Sequence, residues 1–174
     1  TEDPSLKPYS QIYECVYTCG NFLNSYQECI NKISEHMPDP NEVKKIDDAG
    51  VIQMMLGVTS FLLNEAGNEN MDTIIDISLT IASLFIRRGA KKAWANSDVI
   101  IETVIQYKEN VKLLGTCLTI LECCPPEKFK AFANSEFINV WVNALKFEFT
   151  ADQISEIMKF LFYIINVDSK LIEP

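Results

Sequence analysis

Lys92-Ala93-Trp94-Ala95-Asn96-Ser97-Asp98-Val99-Ile100 reads KAWANSDVI, and Lys130-Ala131-Phe132-Ala133-Asn134-Ser135-Glu136-Phe137-Ile138 reads KAFANSEFI. Six of the nine positions are identical, the other three are conservative, and the offset is 38 residues. A second echo runs from Glu69-Asn70-Met71 to Leu79-Thr80-Ile81, and again from Glu109-Asn110-Val111 to Leu118-Thr119-Ile120. The two Leu-Thr-Ile triplets lie 39 residues apart. A fainter copy of the first motif runs from Lys44 to Ile52 and sits 48 residues before its counterpart, so its unit carries a longer connection. Self-similarity at a period of about 40 residues is the mark of stacked supersecondary units. One such unit cannot bury its apolar face alone, and neighbours in an array shelter each other.

Working outward, each unit reads as a short helix followed by two longer ones. The apolar spacing predicts helices over about 89–96, 98–107 and 109–124, then over about 127–134, 135–147 and 150–166. Val111, Leu114, Cys117, Leu118, Leu121 and Cys124 recur at intervals of three and four, which makes a helical stripe. Ser97 and Ser135 stand before Asp98 and Glu136, a suitable start for helices whose first turn favours acid. Thr150 followed by Asp152 and Gln153 resembles a capping box ahead of Ile154. Pro125-Pro126 ends one helix and opens the next. The whole reads as one all-α domain, 1–174. It has an N-terminal unit with a helical insertion over 8–40, then repeats over 41–88, 89–126 and 127–167.

Composition narrows the function. The formal charge is −9, which argues against direct nucleic-acid binding, since a duplex binder needs a basic face. A basic peptide or basic protein surface suits it better, although surplus acid also serves plain solubility. The six cysteines form no Cys-x-x-Cys pair and His36 is the only histidine, so no metal centre or cofactor is expected. The cysteines read as reduced core thiols of a cytoplasmic or nuclear protein. No apolar run reaches membrane-span length and no signal peptide is visible. Thr1 opens the chain without a Met, which suggests a fragment of a longer protein.

The period, the three helices per unit and the junction Asp48-Ala49-Gly50-Val51-Ile52 together resemble the armadillo-repeat family. That resemblance covers most of 8–167 and implies a right-handed α-solenoid of about three and a half three-helix repeats. It also implies a concave groove lined by third helices, whose signature is Leu-Trp-x-Leu-x-Asn-Ile with the Trp and Asn facing a bound peptide. Leu161-Phe162-Tyr163-Ile164-Ile165-Asn166-Val167 fits this pattern with Phe162 and Asn166 in the two roles. Val16-Tyr17-Thr18-Cys19-Gly20-Asn21-Phe22 fits it with Tyr17 and Asn21. The middle units depart: Thr80 and Leu84 stand there in one, Thr119 and Cys123 in the other. An unbroken Asn ladder is therefore absent, which counts against nuclear-import-type peptide binding. Segment Ser25–Met37, with Tyr26, Cys29, Ile30 and Ile33, lengthens a helix or adds one, and so blocks or extends the groove.

Candidate chemistry reduces to ordinary structure at most positions. Asp72 and Asp76 lie one helical turn apart and read as solvated acids on the groove wall. Paired acids also hold magnesium diphosphates or metals in helical enzymes, but the required companion motifs are missing. Asp47-Asp48 reads as a solvated pair at a helix junction, and His36 as a surface histidine with no catalytic partner. Arg87-Arg88 and Lys91-Lys92 form the one basic cluster, suited to pairing with a helix C-terminus or to docking an acidic segment. Trp94, Phe132 and Trp141, the last grouped with Ile138, Val142 and Leu145, read as core. No glycine-rich phosphate loop follows a strand.

The expectation is a non-enzymatic scaffold or adaptor that takes a peptide or helix of another protein. The contact residues are Tyr13, Tyr17, Asn21, Asp76, Thr80, Thr119, Met158, Phe162 and Asn166. Two rivals remain open. One is a regulatory armadillo domain of a larger protein, binding a small GTPase or an autoinhibitory segment as in formin-type regulators. The other is a self-assembling module whose uncapped end pairs with a copy of itself.

Overall fold

The computed structural model describes residues 39–64 and 71–167. Every regular element among the described residues is a helix. In chain order they are α1 (Pro40–Asp48), α2 (Val51–Asn64), α3 (Met71–Ile86), a 3-10 helix (Lys92–Asn96), α4 (Ser97–Gln106), α5 (Val111–Leu121), a second 3-10 helix (Pro126–Phe132), α6 (Ser135–Ala144) and α7 (Ala151–Val167). The chain divides into two compact units, one ending at Ala95 and the other beginning at Asn96.

In the first unit, α1 begins on a reciprocal capping box. The Asp39 carboxylate accepts the Asn41 and Glu42 N–H groups at 2.7 and 3.0 Å, and Glu42 accepts the Asp39 N–H at 3.1 Å. Pro40 sits where its missing N–H costs nothing. The chain leaves α1 through Gly50, whose φ of +76° favours glycine. Both α1 and α3 pack on α2. Ile74 through Leu79 are all buried, so α3 is surrounded rather than laid on a surface. Ser78 and Ser83 satisfy their hydroxyls on backbone carbonyls one turn back.

Two acids expected to be solvated are buried instead. Asp76 is 3 % exposed and has a partner within the molecule, so it is enclosed rather than solvated. The adjacent acids Asp47 and Asp48 part company. Asp48 is exposed and pairs with Lys44 and Lys92. Asp47 is buried, and its carboxylate accepts the backbone N–H groups of Lys91 and Lys92, at 2.9 Å for Lys91 and at 3.2 and 3.3 Å for Lys92. The acid thus satisfies the free donors at the start of the first 3-10 helix. Arg88 donates to the Leu84 carbonyl at 2.9 Å, the helix-end pairing expected of the basic cluster.

The second unit packs α4 against α5, α6 and the second 3-10 helix, and α7 against α5, α6 and that same 3-10 helix. Its centre is aromatic. Phe137 lies 5.7 Å from Phe132, 6.1 Å from Trp141 and 5.7 Å from Phe160, centroid to centroid. Offset and edge-on arrangements of this kind add to what burial supplies. Trp94, Phe132 and Trp141 are buried, as read from the sequence, whereas Val142 is 48 % exposed on the outer side of α6.

The element limits shift for local reasons. The two short helices are 3-10, not α. Asn110 holds the start of α5 at Val111, its side chain accepting the Leu113 N–H at 3.2 Å. Pro125 disfavours helical backbone at Cys124, and α5 ends at Leu121. The caps of α4 and α6 are Asn96 and Asn134, one residue before the expected serines. Thr150 and Gln153 form the expected box, with reciprocal bonds of 3.0 and 3.2 Å.

Candidate functional site

Helix α7 carries the most exposed apolar surface among the described residues. Its capping box fixes where the helix starts, and its packing against α5, α6 and the second 3-10 helix sets which side chains face outward. Ile157, Phe160, Leu161 and Ile164 form the buried stripe. On the opposite side Phe162 is 70 % exposed and Met158, one turn before it, 53 %; Ile154 and Tyr163 are also exposed on this helix, Tyr163 on the side that meets Phe129. A phenyl ring this open, with an exposed methionine one turn away, is the kind of patch that marks a contact surface. Asn166 is exposed one turn beyond Phe162 and donates its amide to the Phe162 carbonyl at 2.8 Å. That bond must open before the same N–H can serve a partner's backbone.

The structure brings Met158, Phe162 and Asn166 together on one helix. Thr119 lies in α5, half-buried, with its hydroxyl donating to the Gly115 carbonyl at 3.1 Å. Thr80 is half-buried in α3, and its carbonyl accepts the Ser83 hydroxyl. Asp76, in the same helix, is enclosed by its neighbours. Tyr13, Tyr17 and Asn21 lie outside the described residues, as do His36 and the segment Ser25–Met37.

A cavity of about 250 Å³ opens between α5, the second 3-10 helix and α7. Its walls include Cys124, Phe129, Phe160 and Tyr163, and Glu122, Glu156 and Lys159 also line it. Phe129 lies 4.9 Å from Tyr163 and 5.5 Å from Phe160, centroid to centroid, so three rings share one wall. Lys159 pairs with Glu156 across one turn of α7. That pair holds the ammonium above its ordinary range, through the hydrogen bond first and then Glu156's charge, with further help from Glu122 and Asp152. Burial pushes the Cys124 thiol up to about 12, with the negative charge of Glu127 adding to it, so the sulfur is a neutral wall at physiological pH. Cys117, Cys123 and Cys124 all remain thiols.

Phe162 is legible in the sequence as a contact residue, whereas Tyr163, Phe129, Glu156 and Lys159 join the site through the fold. The signal for Tyr163 was its place beside Phe162. Phe129 had none, because its pairing with Tyr163 depends on how the 3-10 helix meets α7. Among the described residues no group of three or more His, Cys, Asp or Glu side chains is arranged to hold a metal ion. Among them, no helix is long and apolar enough to cross a membrane. Comparison of this chain with protein-family models, curated proteins and solved structures finds no match in any of the three.

Proposed function

We propose that this chain is a protein-binding module of the α-solenoid type, with armadillo-like three-helix units, and that the outward face of α7 receives a segment of a partner protein. The single observation that carries this reading is the 70 % exposure of Phe162, one turn from the exposed Met158. Left in water, that stripe forgoes about 25 cal/mol for each Å² of apolar surface it could cover. A helix or extended strand laid along it would bury the Phe162 ring, and Asn166 would turn to the partner's backbone. The order short helix, then two longer helices, at Lys92–Leu121 and again at Pro126–Val167, supports a solenoid. So do the near-copies KAWANSDVI and KAFANSEFI, whose Trp94 and Phe132 are both buried.

The test pairs capture with a quantitative control. Proteins retained by the intact chain are identified by mass spectrometry and titrated calorimetrically against wild type and Phe162→Ala/Asn166→Ala. The double variant should weaken a genuine partner by about 1–3 kcal/mol with no change in circular dichroism. An unchanged dissociation constant rejects the α7 face.

A further inference from the structure

We infer that the cavity between α5, the 3-10 helix Pro126–Phe132 and α7 is a socket for one arginine side chain of the partner. This deepens the protein-binding reading above and rests on it. Three features of the cavity select the occupant. The wall is aromatic, with Phe129 lying 4.9 Å from Tyr163 and 5.5 Å from Phe160, centroid to centroid. The charged lining is two carboxylates, Glu122 and Glu156, to one ammonium, Lys159. The remaining sulfur, Cys124, is a neutral thiol at physiological pH.

A guanidinium meets both demands at once. It is flat, weakly hydrated and stacks on ring faces, while its fork of donors matches a carboxylate. A lysine head is compact and more strongly hydrated, so it loses more on entering an aromatic slot. A purely apolar side chain would fill the space but strip water from Glu156 and give nothing in return. An acidic side chain would meet like charge. The overall formal charge of −9 has the same sign and favours encounter with a basic partner.

Lys159 currently occupies Glu156. Its side chain is 67 % exposed, so the pair is a surface one and yields readily to a better-shaped donor. Glu122 has contacts of its own and contributes through its charge, not through a vacant bond. Lys159 therefore acts as a placeholder that competes with the incoming guanidinium. Removing it should tighten the site, which no purely apolar pocket would do.

The experiment titrates the isotopically labelled chain with a capped Gly-Ser-Gly-Arg-Gly-Ser-Gly peptide and follows the Phe129 and Tyr163 ring signals by NMR. Two control peptides replace the arginine with lysine or with citrulline, its neutral isostere. The arginine peptide should shift both rings with a dissociation constant on the order of millimolar, as a single side chain allows. The lysine peptide should bind several-fold more weakly, and citrulline should leave the rings unmoved. Glu156→Gln should weaken the arginine peptide about tenfold. Lys159→Ala should strengthen it, each variant's amide spectrum certifying its fold. Equal shifts from the citrulline peptide, no shift at all, or indifference to Glu156→Gln overturns the socket. Separately, a protein partner lost in Phe162→Ala/Asn166→Ala yet untouched by Glu156→Gln removes the socket and leaves the α7 face standing.

Discussion

The Asp47 carboxylate accepts the backbone N–H of Lys91 at 2.9 Å, joining positions 44 residues apart in the chain. A buried acid at the end of one short helix thereby fixes the start of another. Asp47→Ala leaves the Lys91 and Lys92 N–H groups without that acceptor, and should cost about 2–3 kcal/mol, since bonds to a charged group are the strong ones. Asp47→Asn keeps one oxygen and should cost less. Urea unfolding of the two variants checks the order. A null effect for Asp47→Ala would mean the bond stabilises nothing.

Near-copies of one motif behave differently at their caps. The Asn134 side chain accepts the Phe137 N–H at 3.0 Å, whereas Asn96 makes no side-chain cap bond, because the 3-10 helix runs directly into α4. Asn134→Ala should therefore destabilise by about 1 kcal/mol, and Asn96→Ala by clearly less. Thermal unfolding of the pair reads the difference. Equal losses would contradict the asymmetry.

Cys124 links stability to alkaline pH. Its folded pKa of about 12 stands above the ordinary 9.0, so between those values the folded chain holds a proton that the unfolded chain has released. Stability therefore falls as pH rises from about 9 toward 12, and is unaffected by this group at neutral pH. Cys124→Ala should flatten that decline. Denaturant midpoints at pH 7, 9 and 10 test the slope.

The helices and much of the core were legible because their signals are local. Thr150 and Gln153 are three residues apart, and Trp94 and Phe132 share a motif position. What could not be read depends on neighbours far along the chain. Nothing near Asp47 distinguishes it from Asp48, yet one is buried against Lys91 and the other faces water. Asp76 looked solvated because Asp72 sits one turn away, but the apolar residues around it on α3 are all enclosed. At the candidate site the Phe162–Asn166 pattern was visible, while the Phe129–Tyr163 contact requires the 3-10 helix to meet α7.

Exposure separates binding from stability on α7. Phe162 buries little of its ring, so Phe162→Ala should shift the melting temperature negligibly while weakening the partner. Light scattering of the free chain distinguishes a foreign partner from a second copy. A monomer is the expected result, and a dimer broken by Phe162→Ala would assign the face to self-association.

Amide chemical-shift mapping of the labelled chain against its captured partner is the most direct test of the α7 face. Perturbations clustered on residues 154–166 are the expected result. Changes confined to residues before Ala95, with α7 silent, would contradict it.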